Sequence, residues 1–342
     1  MLIRLKNKFI PRIAITMGDP AGIGPEIILK CLNDKTITSK ICPLIIGDFN
    51  VFKRMKHFVK TIKKIIVVDD NTVSNQHYAL KGRILFINSD ISNGMIEIGR
   101  GNKASGFMSY KAVTRGIQLC MDKSVDAMVT APISKEAWHE AKIFFPGHTE
   151  LLAKMTKTKR YSMMFIGGVF RVILVTIHEP LSRVHSIINV QKVIETCITG
   201  NETLKKYFNI SRPRIACAGL NPHAGENGIF GKEEITIIKP AISKLKKKGI
   251  NIKGPFPADT LFTDKYTEAF DLFVCMYHDQ GLIPFKMRHF NNGVNITAGL
   301  PIIRTSPDHG TAFSIAGKNV ADPHSMRQAI LTAREMVINS RC

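Results

Sequence analysis

The chain has 342 residues, which exceeds the usual range of one domain and favours two lobes. Its 44% hydrophobic and 22% charged residues exclude a disordered chain and suffice for a large core. A formal net charge of +21 suggests nucleic-acid binding, but the basic clusters lack the interleaved aromatic pattern of a single-strand binding surface. We therefore expect a basic surface that attracts small anions, and no nucleic-acid partner.

Cysteine usage and hydropathy indicate the cellular environment. Seven cysteines are scattered, never as a CxxC pair, and several lie in apolar runs, which favours a reducing compartment over a disulfide framework. The basic start of the chain has no adequate apolar stretch, so no signal peptide is predicted. No run of about 18 apolar residues is present, so no transmembrane helix is expected. These patterns predict a cytoplasmic protein.

Short β-branched runs alternate with longer amphipathic stretches along the chain. The predicted strands are, in order, RIAIT, PLIIG, KIIVV, RILFI, DAMVT, RVILVTI, RIACAGL and LFVCMY. The predicted helices include SYKAVTRGIQLCMD, VQKVIETCITGNETLKKYF and EEITIIKPAISKLKKK. This alternation predicts an α/β protein with a largely parallel sheet.

A glycine-rich loop, ITMGDPAGIGPEIILKCL, follows the first predicted strand. The strand is expected to end at Thr16, and a helix to begin with Pro25 at its first position. The glycine spacing matches neither GxGxxG nor GxxxxGK[ST], so neither a Rossmann motif nor a P-loop is predicted. The loop is either a tight structural turn or a ligand-binding loop with a helix N-terminus that favours an anion.

Three histidines follow predicted strands: His178 after RVILVTI, His223 after RIACAGL and His278 after LFVCMY. Ligands of parallel α/β sheets gather outside the carboxyl ends of the strands, so these side chains can converge. Three imidazoles would leave metal coordination positions open and suit zinc, cobalt or nickel better than magnesium. Any one of them could instead be a hydrogen-bonded structural residue.

Other polar residues near these strand ends are suited to binding a small phosphorylated acid. Lysine and arginine with an amide donor are what a phosphate or carboxylate needs. Asp259 lies in an apolar, proline-rich frame. The further candidates are His148, Thr149, Lys286, Asn295 and Arg304.

The motifs taken together resemble the PdxA family, the 4-hydroxythreonine-4-phosphate dehydrogenases of pyridoxal phosphate biosynthesis. The likeness covers nearly the whole chain, in order. The motifs that carry it are MGDPAGIGPE, TAPISK, GHTE, NPHAGENG, YHDQGLIPFK and VNITAGLPIIRTSPDHGTAFSIAGK.

The resemblance implies a two-domain α/β/α fold like that of isocitrate and isopropylmalate dehydrogenases, with a cleft between the domains. It implies a cofactor-side domain of residues 1–145 plus 298–342 and a metal, substrate and dimerisation domain of residues 146–297. It also implies NAD or NADP bound without a Rossmann domain. The residues that match the family's cofactor loop are His309, Gly310, Thr311 and Ala312.

The resemblance further implies that His178, His223 and His278 bind one divalent metal, which would be zinc, cobalt or magnesium. Substrate contacts fall on His148, Thr149, Lys286, Asn295 and Arg304. Asp259, Asp279 and Lys286 are the implied catalytic residues, and Asp279 would orient its neighbour His278.

The implied reaction is oxidation of the secondary alcohol of 4-phosphooxy-L-threonine, followed by decarboxylation. A homodimer with the metal site shared between subunits is implied as well. Three alternatives stay open: a paralogue that acts on threonate or erythronate 4-phosphate, a metal-dependent lyase or hydrolase without nicotinamide, and a basic nucleic-acid-binding protein.

Overall fold

A computed structural model describes residues 9–69, 72–73, 83–89 and 95–341. The chain divides into two compact units. Unit 1 comprises Met1–His148, Ile302–Arg304 and His309–Ile338, and unit 2 comprises Thr149–Pro301, Thr305–Asp308 and Asn339–Cys342. The first eight residues, on which the signal-peptide prediction rests, and Cys342 lie outside the described residues. The domain boundaries expected from the sequence stay a prediction.

Unit 1 contains five parallel strands in the order β3-β4-β2-β1-β5. They are β1 (Arg12–Thr16), β2 (Cys42–Gly47), β3 (Ile65–Val67), β4 (Ile84–Asn88) and β5 (Ala127–Thr130). The helices are Gly24–Asn33, Lys35–Thr38, Phe49–Lys53, Val59–Ile62, Lys103–Met121, Lys135–Glu140 and His324–Asn339, whose last residue belongs to unit 2. Single 3₁₀ turns are Lys56–Phe58 and Phe313–Ile315.

Unit 2 is built on β6 (Ser162–Gly167), β7 (Phe170–Leu174), β8 (Ile215–Ala218), β9 (Ile252–Phe256), β10 (Leu272–Cys275), β11 (Val294–Ala298) and the last three residues of β12 (Arg304–Pro307). The order is β12-β11-β6-β7-β10-β8-β9. The pairs β7–β10, β10–β8 and β8–β9 are parallel. The pairs β12–β11, β11–β6 and β6–β7 are antiparallel.

The helices of unit 2 connect these strands. They are His148–Met155, which begins at the last residue of unit 1, and Leu181–Ile187, Val190–Phe208, Lys239–Lys247, Ala258–Leu261, Asp264–Ala269 and His278–His289. A π-helical segment, Glu234–Ile238, precedes the fourth of these.

Aromatic packing fixes the helix His278–His289 against the sheet of unit 2. Phe285, fully buried on that helix, stacks on Phe170 of β7 with ring centres 6.0 Å apart and lies 5.7 Å from the ring of Phe165 in β6. Phe170 also packs against Phe273 of β10 at 5.2 Å. Burial of each aromatic ring stabilises the fold by about 2–3 kcal/mol, so the helix has one preferred packing position on the sheet.

The predicted α/β fold and the largely parallel pairing are confirmed, and each predicted strand is present. The helix Val190–Phe208 has the predicted bounds, while the first helix begins at Gly24, so Pro25 is its second residue. Strands β6, β9 and β12 were not predicted because methionine, glycine and proline weaken their β pattern, and β11 was missed because its neighbours are rich in asparagine and glycine. Among the residues that the structure describes, no helix has the length and apolarity needed to cross a membrane.

Two glycines of the helix Lys103–Met121 provide a matched test of its packing. A Cβ at Gly106 would collide with the backbone carbonyl of Ala137, whereas a Cβ at Gly116 would meet side-chain atoms of Met128, Thr16 and Ile46, at 3.0, 3.1 and 3.6 Å. Both changes to alanine gain about 1 kcal/mol of helix propensity. Side chains can move away from an added methyl group more easily than backbone can. We therefore expect Gly106→Ala to lower the free energy of unfolding by about 2 kcal/mol or more, and Gly116→Ala to lower it by less than about 1 kcal/mol. Urea denaturation measures both, and equal effects would contradict the packing.

Candidate active site

Three strand ends of unit 2 carry the three histidines. Strand β10 pairs in parallel with both β7 and β8, so the carboxyl ends of the three strands lie at one edge of the sheet. The rings of His178 and His278 are neighbours, with centres 5.7 Å apart and an interplanar angle of 43°. Two imidazoles bound to one zinc at ~2 Å have ring centres about 5 Å apart, so this pair suits a shared metal in spacing and donor chemistry.

His278 is the first residue of the helix His278–His289, directly after β10 and Tyr277. Its Nδ1 lies 2.8 Å from Asp279 Oδ1. A carboxylate on one ring nitrogen orients the imidazole and leaves the other nitrogen for a metal. Asp279 thus lies within hydrogen-bonding distance of His278, and its orienting role stays a prediction.

His223 lies in the loop after β8, next to the ring of Phe230 at 5.9 Å. Within the described part of the chain, no group of three or more His, Cys, Asp or Glu side chains could hold a metal ion. The structure therefore brings His178 and His278 together and does not bring His223 into one metal-binding group with them.

Lys286 lies two turns after His278 on the same helix. Its Nζ is 3.5 Å from Asp308 Oδ2, an ion pair that the sequence analysis missed. Asn295 lies in β11 opposite Ser306, and its Oδ1 is buried without a hydrogen-bond partner. An orphaned buried acceptor is costly and is typical of a group that meets a ligand.

The other two candidates of unit 2 have contrasting environments. Thr149 is buried near the start of the helix His148–Met155. Asp259 is exposed in the short helix Ala258–Leu261 after β9.

Unit 1 holds Arg304 and His148. Arg304 is only 4% exposed, and its Nε and Nη2 donate to Thr130 Oγ1 at 3.1 and 2.7 Å. Burial, and then the charge of Arg304, hold the pKa of His148 well below its usual value. The Nε2 of His148 is buried without a partner. A neutral imidazole beside a buried guanidinium offers an anion one hydrogen bond and one full positive charge.

The glycine-rich loop packs against the candidate cofactor residues, which also belong to unit 1. The Ile23 N–H donates to the carbonyl of Thr311 at 3.0 Å, and a Cβ at Gly22 would lie 2.9 Å from that oxygen. The chain's own backbone therefore requires a glycine here, which favours the structural-turn interpretation. Gly310 is different, because nothing lies within 4 Å of where its Cβ would be. His309 is exposed, and Ala312 has a left-handed φ of 44°.

Asp19, in the same loop, is fully buried and was not predicted. It accepts hydrogen bonds from the Ala21 N–H at 2.9 Å and from Ser105 Oγ at 3.1 Å. Burial raises its pKa from 3.8 to about 6, against the opposing effect of these two bonds. A single buried carboxyl does not change the hydrophobic pattern of its segment. Only the motif around Asp19 could therefore have indicated it.

An α/β chain with histidines at parallel strand ends and buried cationic groups is typical of enzymes that act on small anions. The model of the family described as "Pyridoxal phosphate biosynthetic protein PdxA" matches residues 39–333. The chain belongs to this family, as its motifs predicted.

Relatives and solved structures agree with this assignment. The chain is 46% identical over 323 residues to the 4-hydroxythreonine-4-phosphate dehydrogenase of Desulforapulum autotrophicum, with 94% of each chain covered. It is 42% identical over 328 residues to the D-threonate 4-phosphate dehydrogenase of Salmonella typhimurium, covering 95% of this chain and 98% of the relative. The crystal structure of the Klebsiella pneumoniae 4-hydroxythreonine-4-phosphate dehydrogenase superposes with a TM-score of 0.85 at 38% identity, covering 97% of this chain and 99% of that one.

The buried carboxyl of Asp19 makes stability depend on pH. Because its folded pKa lies above its unfolded one, the folded state binds the extra proton between pH 4 and 6, and stability is lost as pH rises through that window. Asp19→Asn keeps an acceptor for Ala21 and a donor for Ser105 without the charge. We expect it to raise the free energy of unfolding by about 3 kcal/mol at pH 8 and by less than about 1 near pH 4. Urea denaturation at both pH values measures this, and a gain independent of pH would contradict it.

Proposed function

We propose that the chain is an NAD(P)- and divalent-metal-dependent 4-hydroxythreonine-4-phosphate dehydrogenase. It would oxidise 4-phosphooxy-L-threonine, with decarboxylation to 3-amino-2-oxopropyl phosphate, for pyridoxal 5'-phosphate biosynthesis. The observation that carries the proposal is 44–46% identity, over 94–95% of the chain, to four relatives of this name.

The metal would be held by His178 and His278, with His223 as the third ligand. The neighbouring rings and the Asp279 contact support the first two. When bound, a zinc, cobalt or magnesium ion would act as a Lewis acid toward the substrate's oxygens. Asp279 would hold the proton on His278 Nδ1, so that Nε2 keeps its lone pair for the metal. Asp259 would exchange protons with substrate and solvent, which its exposure permits.

Anion binding is divided between groups of different character. In unit 1, Arg304 would supply a fixed, buried charge, and His148 would donate from its unpartnered Nε2. In unit 2, Lys286 would exchange its Asp308 contact for a substrate anion, while Thr149 and Asn295 would orient polar groups. The family resemblance is what assigns these residues to the substrate.

The nicotinamide cofactor would bind in unit 1 at His309, Gly310, Thr311 and Ala312. The open space at Gly310 and the exposed ring of His309 support a ligand there. NAD and NADP both fit this proposal. The metal would belong to unit 2, which matches the roles expected of the two domains.

A second copy of the chain would complete the metal site. The helix that carries His278 exposes Ile283 and Met287 by 60% and 83%, and Phe290, the residue directly after this helix, is exposed by 74%. They follow each other at helical spacing, so they form one solvent-exposed apolar stripe, and such stripes are typical of protein–protein interfaces. A homodimer that buries this stripe would place two metal sites near its symmetry axis.

The alternative substrate is D-threonate 4-phosphate or erythronate 4-phosphate, in which a hydroxyl replaces the amino group. Relatives named for the threonate activity are 41–42% identical over 95% of the chain, which keeps this alternative open.

The direct test is NADH or NADPH formation by the purified protein. Each of the three phosphorylated acids is supplied with NAD or NADP, with and without a chelator. We expect metal-dependent turnover that is fastest on 4-phosphooxy-L-threonine. Turnover on the sugar acids alone would move the chain to the alternative, and absence of turnover on all three would contradict both.

Asp279→Asn and Asp259→Asn separate catalysis from metal retention. An asparagine at 279 still accepts from His278 but loses the charge, so we expect turnover to fall about 10- to 100-fold while bound metal changes much less. Asp264→Asn, at an exposed surface pair with Arg288, is the control and should leave turnover unchanged. Turnover and metal content are measured on the same preparations. Unchanged turnover in both test variants would remove these two residues from the mechanism.

A further inference from the structure

We infer that Glu234 is a positioning residue that holds the His223 turn, residues 222–228, in a conformation the turn would not keep alone. The inference rests on the proposed role of His223 as a metal ligand. It adds a residue outside the metal and substrate contacts assigned above.

The backbone of the His223 turn is left-handed over five consecutive residues. The φ angles of His223, Ala224, Gly225, Glu226 and Asn227 are 52°, 51°, 78°, 38° and 56°. Residues other than glycine avoid this region because Cβ approaches the following carbonyl oxygen. Such a run persists only where surrounding contacts determine it, and strained backbone clusters at functional sites.

Glu234 supplies those contacts at the entrance to the turn. Its Oε1 accepts from the backbone N–H groups of Leu220 and Asn221 at 2.7 and 2.8 Å, and its Oε2 accepts from Asn221 Nδ2 at 2.9 Å. The side chain is only 1% exposed. Strand β8 ends at Ala218, so these two N–H groups lie beyond its ladder, and the carboxylate satisfies them.

The turn wraps closely around this carboxylate. A Cβ at Gly225 would collide with Glu234 Oε2, and a Cβ at Gly219 would lie 3.1 Å from Oε1. Glu234 therefore contacts both the start and the middle of the segment that carries His223. Its place at the start of a π-helical segment, a feature that is rare and frequent at functional sites, agrees with this role.

A second buried side chain links the same strand end to His278. Gln280, two residues after His278, donates from Nε2 to the carbonyl of Gly219 at 2.7 Å and accepts from the Met276 N–H at 2.7 Å. The backbone before the His223 turn is thus held from one side by Glu234 and from the other by the His278 helix. These two links join the segment that carries His223 to the helix that begins with His278.

Hydrogen exchange of the metal-free protein tests the positioning role without reference to catalysis. We expect Glu234→Ala to accelerate amide exchange in residues 219–228 by about tenfold or more and Glu234→Gln by a few fold. Exchange in the helix Val190–Phe208 should stay unchanged, which shows that the fold is intact. Glu233→Gln is the matched control, because Glu233 accepts from the Asn221 side chain and from the nearby backbone of Lys232 and Glu233, but from no backbone N–H of the turn entrance. If Glu234→Ala does not fold, the glutamine variant decides the outcome.

Cobalt titration of the same variants then separates this inference from the proposed function. We expect a tenfold or greater loss of cobalt affinity in Glu234→Gln, with a changed visible absorption spectrum, and neither change in Glu233→Gln. Unaltered exchange in both Glu234 variants would overturn the positioning role whatever the metal does. If exchange is accelerated in the Glu234 variants but the wild-type protein binds no cobalt, the positioning role is kept and the metal site is overturned.

Discussion

The parallel pairing of β10 with β7 on one side and β8 on the other is the constraint on which the candidate site depends. Parallel strands deliver their carboxyl ends to one edge, and each of these three strands is followed within a few residues by a histidine. The aromatic packing of Phe285 on Phe170 and Phe165 then fixes the helix that begins with His278. Without that packing, the distance between the rings of His178 and His278 would not be fixed.

The candidate residues differ in whether the fold fixes their charge state or leaves them exposed and able to respond to a ligand. Arg304 is buried and His148 is half-buried. Their charge states are set by the fold, since burial and then the charge of Arg304 hold the pKa of His148 well below its usual value. Asp279 is mostly exposed, and Lys286 is partly exposed beside Asp308, so both can respond to a ligand. The high net positive charge adds long-range attraction for anions.

Sequence reasoning predicted the features that repeat along the chain and missed those that depend on a single contact. The β-branched runs identified every parallel strand except β9, and the residues after these runs identified the histidines. The antiparallel strands β11 and β12 were missed because Gly-, Asn- and Pro-rich neighbours hide their pattern. Glu234, Gln280 and Asp308 were missed because each acts through side-chain contacts with a segment distant in sequence, and such contacts leave no periodicity in the sequence. The interpretation of the glycine-rich loop had to wait for the structure, because only the approach of Thr311 explains Gly22.

The central claim is that three histidines from three strand ends bind one metal. X-ray absorption at the cobalt edge of the loaded protein tests it most directly. We expect about three imidazole nitrogens at ~2.0–2.1 Å, and loss of part of that signal in His178→Ala, His223→Ala and His278→Ala alike. A first shell without imidazole, or a spectrum that none of the three replacements changes, would contradict it.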